Sequence, residues 1–194
     1  MSTLNVVDWG KIPAPEDDGA ARHLVGLKLP SVSLAATDGR FVDLLALLGR
    51  TIVYAYPMTG RPDTPLPKGW DALPGARGCT PQSCSFRDHA AMLRGLGADH
   101  IFGLSAQDTD YQREAVERLH LPFPLLSDSD FAFAKALNLP IFDVEGRRLL
   151  KRLTMIVDDG SITHIFYPVF PPDRNAADVS DWLIRNPRVD AKTN

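Results

Sequence analysis

Cys79 and Cys84 are the only cysteines of the 194-residue chain, and both fall in one short segment, RGCTPQSCSFRD, at 77–88. A thiol is nucleophilic only as thiolate, and at an ordinary pKa of about 8.5 roughly 3% is ionised at pH 7. A helix N-terminus favours the anion through its orphan N–H groups and partial positive charge. The pattern after Cys79 opens such a helix, with Pro81 tolerated in the first turn. An arginine beside the sulfur would help further. Arg77 is local, Arg152 at the start of RLTMIV could reach the same crevice from across a sheet, and residue types alone leave both open.

The spacing is C-x4-C. On an intact α-helix five residues rotate by about 140° and rise by about 7.5 Å, whereas a disulfide needs Cα atoms within roughly 7 Å and facing Cβ vectors. A bond between these cysteines therefore requires the turn to unwind. The chemistry this suggests is oxidation of Cys79 to a sulfenic acid, local unfolding, and condensation with Cys84. Blander readings weigh less. Two inert buried thiols are a common fate of free cysteine, but not at a helix start. A metal half-site completed by His89 lacks the ligand number of structural zinc or of iron–sulfur clusters. The C-x-x-C of a disulfide exchanger is absent.

Several elements must hold this segment. The run TIVYAY at 51–56 is β-branched and aromatic without charge, as suits a central strand buried on both faces, and it stops at Pro57. The loop 58–78 carries Pro62, Pro65, Pro67 and Pro74. It exceeds the roughly 12 to 15 residues usual for structureless connections, which marks it as functional or disordered. Trp70 within it is expected to anchor it as an apolar plug, the alternative being part of a lid over the pocket. Phe86, Ala90, Leu93 and Leu96 mark one face of the helix that Gly97 ends. Arg87 and Asp88 read as a surface pair or a cap.

Upstream, residues 1–24 are polar and proline-bearing and are expected to form a loosely attached arm. Alternation at 32–36, the turn Asp38-Gly39 and Phe41-Val42 predict an N-terminal β-hairpin, followed by a short helix at 43–48. Downstream, the text predicts strands at 100–105 and 123–126, helices at 111–119 and 129–137, and a hairpin of 150–157 with 162–169 turning at Asp158-Asp159-Gly160. The helix at 129–137 is expected to be capped by Ser127 or Ser129, and a last helix spans 176–184. Strands alternating with helices predict an α/β fold, a mixed central sheet with helices on both faces, in one domain over 25–186 and a tail at 187–194. The reactive crevice of such sheets lies beyond the carboxyl ends of the strands, where Cys79 follows.

Composition agrees with a globular protein of that size: 44% hydrophobic, 23% charged, formal net charge −3. No Lys/Arg cluster suggests nucleic acid or an anionic membrane as partner, and no apolar run approaches the ~20 residues of a membrane span. The start lacks a basic region followed by an apolar one, so the expected compartment is the cytoplasm, where closely spaced cysteines lean towards redox chemistry or metal binding.

GCTPQSCSFRD resembles the active-site segment of the thioredoxin-fold peroxiredoxins of the Q type, also called bacterioferritin-comigratory proteins, in which Gly-Cys-Thr-x-x-x-Cys-x-Phe/Leu-Arg-Asp begins a helix. Four further blocks stand in the family's order: VYAYP at 53–57, FGLSAQD at 102–108, FPLLSDSD at 123–130 and RLTMIVD at 152–158. The resemblance runs from about residue 26 to 183 and implies a thioredoxin-like fold and a thiol peroxidase acting on hydrogen peroxide and organic hydroperoxides without metal or other cofactor. It implies that Cys79 is the peroxidatic cysteine, Cys84 the resolving one, and Arg152 the arginine that stabilises the thiolate and polarises the peroxide. A thioredoxin-like or glutaredoxin-like dithiol would be the reductant, and the chain a monomer or homodimer. One piece departs: in Pro-x-x-x-Thr-x-x-Cys the threonine hydroxyl meets the peroxide, but here the corresponding positions are Ala72 and Ala76. Pro57 and Thr59 are the expected substitutes. The rival reading is a non-catalytic redox sensor or binding protein of the same fold, its pocket repurposed by the altered loop.

Overall fold

A computed structural model describes residues 7–188; the beginning of the expected arm and the tail after Arg188 lie outside the described residues. Strands β1 (Ser33–Ala36) and β2 (Phe41–Asp43) form the N-terminal hairpin, turning where Gly39 takes φ +86°. Strand β3 (Arg50–Ala55) is buried at every position. After the long loop come α1 (Cys79–Gly95), β4 (His100–Ser105), α2 (Thr109–Leu119), β5 (Leu125–Ser127) and α3 (Ala132–Leu137). Strands β6 (Ile141–Val144), β7 (Arg147–Leu150), β8 (Leu153–Asp158) and β9 (Ser161–Phe166) precede α4 (Asn175–Arg185).

One sheet of seven strands runs in the order β2-β1-β5-β4-β3-β8-β9, and β6 pairs with β7 apart from it. The pairs β3–β4 and β4–β5 are parallel, while β1, β8 and β9 join antiparallel. Side chains alternate across β3 with the period of a strand. Ile52 and Tyr54 face a core shared with Phe86 and Leu93 of α1, Leu119 of α2 and Leu183 of α4. Val53 and Ala55 face the opposite core, with Phe133 and Leu137 of α3 and with Leu24. Helices thus cover both faces, and α1 starts beside Arg152, which precedes the Leu153 paired with Ala55 at the carboxyl end of β3.

Three expectations are corrected. The cap of α3 is neither Ser127 nor Ser129: the Asp128 carboxylate accepts from the N–H groups of Phe133 at 3.0 Å and Ala134 at 2.8 Å. The strand expected over 150–157 begins later, at Leu153 of β8: Leu150 ends β7, and Lys151 and Arg152 lie between, the Lys151 N–H donating to the Pro140 carbonyl at 2.8 Å beside β6. The described part of the arm is tied down rather than loose. Ala21 and Leu24 are buried, Trp9 Nε1 donates to Asp173 at 2.7 Å, and Asp18 accepts from Lys151 Nζ at 2.6 Å and Tyr167 Oη at 2.7 Å. Each anchor is a long-range partner, which local composition does not reveal.

Candidate active site

Cys79 is the first residue of α1, and its approach depends on Gly78. That glycine takes φ +105°, and a Cβ there would lie 2.3 Å from Pro172 Cγ and 2.8 Å from Trp9 Cη2. Only a residue without a side chain brings the loop into the helix at this angle. The Gln82 N–H closes the first turn on the Gly78 carbonyl at 2.9 Å. The N–H groups of the opening residues have no partner within the helix, as at any helix start.

Arg152 decides the electrostatics. Its Nη2 lies 3.2 Å from Cys79 Sγ and also donates to the carbonyls of Ala76 and Arg77 at 3.2 Å and of Gly75 at 3.3 Å. Its Nη1 donates to Gln82 Oε1. Both Cys79 and Arg152 are 3% exposed, so the guanidinium acts on the sulfur with little solvent screening. Arg77, the local candidate, turns away into an ion pair with Asp71 at 2.8 Å. Of the two arginines, the structure brings Arg152 to the sulfur.

Above Cys79 lies a cavity of about 290 Å³ whose walls include Met58, Leu66, Trp70 and Thr80. Trp70 is 5% exposed and packs with Met58, Ala76, Val144 and Leu149, so it anchors the loop as expected and lines the cavity as well. Pro57 is buried just after β3. Thr59 is fully buried but is not brought to the sulfur: its hydroxyl donates to Gln107 Oε1 at 3.2 Å, and its N–H and carbonyl bond the same amide. At position 76 the methyl is buried, while the carbonyl accepts from Arg152 and lies 3.6 Å from Cys79 Sγ.

Cys84 sits one turn on, half-buried against the α1 side of the core, and both thiols are free. Burial pushes the Cys84 thiol above its ordinary value, with Arg87 and Arg118 opposing and Asp88 reinforcing the shift. Arg87 pairs with Asp88 at 2.8 Å, and its Nη1 donates to the Leu119 carbonyl at 2.9 Å. His89 is engaged with the Ser85 carbonyl at 2.8 Å.

Residues 24–181 match the model of the redoxin family. The chain belongs to the redoxin family. It is 32% identical over 152 residues to the chloroplastic peroxiredoxin Q of Oryza sativa subsp. japonica, a match that covers 77% of this chain and 62% of that protein. The chain thus spans less than two thirds of the rice relative. Among solved structures this redoxin is similar to peroxidoxin BcpB of Mycobacterium tuberculosis, at TM-score 0.67 and 23% identity, covering 85% of this chain and 98% of that one. It is also similar to Xanthomonas campestris peroxiredoxin Q, at TM-score 0.64 and 23% identity, covering 84% and 98%. The fold is therefore the expected thioredoxin-like one.

Sequence reasoning missed three polar residues of this redoxin's site. Gln82 is fully buried between Arg152 and Asn175, and its signal was available: it is a polar residue on the inward stripe that runs through Phe86 and Ala90. Asn175 and Thr154, bonded to one another at 2.6 Å, come from distant elements and carry no local signal.

Proposed function

We propose that this chain is a thiol peroxidase that reduces hydrogen peroxide and organic hydroperoxides, with Cys79 as nucleophile, Cys84 as resolving thiol and Arg152 as the electrostatic partner of both sulfur and peroxide. The observation that carries this reading is the 3.2 Å contact of Arg152 Nη2 with Cys79 Sγ, at a helix start beneath an open cavity. The Cys79 thiolate attacks one peroxide oxygen, the O–O bond breaks, and the departing oxygen takes a proton from solvent and leaves as water or an alcohol while Cys79 becomes a sulfenic acid. The guanidinium and the first N–H groups of α1 offset the charge that develops on the departing oxygen. Cys84 as thiolate then attacks the sulfenic sulfur, the hydroxyl group takes a proton from solvent and leaves as water, and a disulfide forms. In the cytoplasm a thioredoxin-like or glutaredoxin-like dithiol would return the two electrons.

Without a threonine hydroxyl at position 76, the peroxide-binding donors in this reading are Arg152 and the backbone of α1. Thr59 and Pro57 shape the loop that walls the cavity. The test is steady-state consumption of hydrogen peroxide with a dithiol reductant. Many turnovers are expected for the unchanged chain, none for Cys79→Ser, and for Cys84→Ser only those that an external thiol can resolve. A single oxidation per chain without turnover would sink the peroxidase reading in favour of a sensor.

A further inference from the structure

The hydrogen bonds around Arg152 can run in one direction only, and this assigns a role outside the cysteine segment. A guanidinium donates and never accepts, so the Gln82 atom facing Arg152 Nη1 must be Oε1. The other end of that amide is then a donor, and Nε2 meets Asn175 Oδ1 at 2.9 Å. Thr154 Oγ1 donates to the same Asn175 oxygen at 2.6 Å. Gln82 and Thr154 are 0% exposed and Asn175 is 1% exposed, so a lost partner leaves a buried polar atom unpaired.

We propose that Asn175, the first residue of α4, is a positioning residue for peroxide attack. Its Oδ1 holds the Gln82 amide with the oxygen towards Arg152, and Gln82 in turn keeps the guanidinium against Cys79. An amide turned end for end would set its NH2 group against the guanidinium, donor against donor. Thr154 stands on β8 two residues after Arg152, so the segment that delivers the arginine also carries a group that aims it. Asn175 joins this arrangement through a third element, and the direction of the whole chain of bonds passes through its single acceptor oxygen.

This inference rests on the peroxidase reading, and a double-mutant cycle separates the two. The rate at which hydrogen peroxide oxidises Cys79 in a single turnover is measured for the unchanged chain, Asn175→Leu, Gln82→Leu and the double variant. Asn175→Leu is expected to slow that step about tenfold, and to slow it by less than about twofold further in the Gln82→Leu background, because it acts through Gln82. An unchanged rate in Asn175→Leu, or the same tenfold loss in the Gln82→Leu background, would overturn the inference. Should Asn175→Leu fail to fold, Thr154→Val replaces it in the cycle, with an expected loss of about threefold that likewise vanishes beside Gln82→Leu. An unchanged chain that does not turn over peroxide refutes the peroxidase reading instead.

Discussion

Oxidation with one equivalent of hydroperoxide is expected to unwind the first turn of α1. On the intact helix Cys79 and Cys84 are separated by about 7.5 Å of rise and about 140° of rotation, beyond the reach of a disulfide. Unwinding breaks the Gln82 N–H bond to Gly78, the Gln82 bond to Asn175, and the bonds of Arg152 to Gln82 and Cys79. At about 1 kcal/mol net for a neutral hydrogen bond and about 2 for one made by a guanidinium, the turn is held by roughly 4 to 6 kcal/mol. That corresponds to slowing of amide exchange by roughly a thousandfold to ten-thousandfold in the reduced protein. Hydrogen exchange read by mass spectrometry, with the disulfide confirmed by peptide mapping, tests this directly. The amides of residues 82–84, the first to bond within the helix, should lose that protection on oxidation while β3, buried throughout, keeps its own in both states. A mapped Cys79–Cys84 disulfide in a protein whose residues 82–84 exchange as slowly as before would refute the reasoning.

Thr59→Val should cost about 1 kcal/mol of stability in urea unfolding, from the lost bond to Gln107, and leave the peroxide step unchanged. A tenfold fall in kcat/KM in a stably folded variant would place Thr59 on the peroxide after all. Gly78→Ala should destabilise by about 2 to 3 kcal/mol, since it forces a side chain into a left-handed backbone and against Pro172; a shift below about 1 kcal/mol would show that the helix start can relax. Asp18 is held below its ordinary value of 3.8 by its bonds from Lys151, then from Tyr167 and the Ala20 N–H. A depressed folded-state pKa means that the stabilisation is present above the unfolded value and lost as pH falls through the folded one. Proteolysis of the arm should therefore accelerate only below about pH 4, and Asp18→Asn should flatten that dependence.

What the sequence revealed and what it hid divide along physical lines. Strand β3 was legible because an uncharged β-branched run is buried on both faces whatever its neighbours do, and α1 because its apolar stripe and Gly97 are local. The hairpin of β6 and β7 was hidden: its turn, Glu145 at φ +46° and Gly146 at φ +73°, uses a residue that rarely takes that conformation, and its strands are half-exposed. Cys79 announced itself by type and by its place at a helix start. The choice of Arg152 over Arg77 needed either the resemblance or the coordinates, because Arg77 is nearer in sequence yet is drawn off by Asp71.

The absent threonine gives the clearest case of a side-chain pattern misjudging a backbone role. Ala76 stands three residues before Cys79, where the peroxiredoxin pattern has a hydroxyl, and its methyl fills space beside Met58 and Trp70. Its carbonyl accepts from Arg152 at 3.2 Å and lies 3.6 Å from the Cys79 sulfur. Every residue supplies that carbonyl, so the contact that clamps the loop to the guanidinium survives a change of side chain. What the change removes is a hydroxyl, and in the peroxidase reading this leaves Arg152 and the first turn of α1 to meet the peroxide. On that reading Gln82 and Asn175, whose bonds lead to Arg152, matter more here than they would beside a threonine.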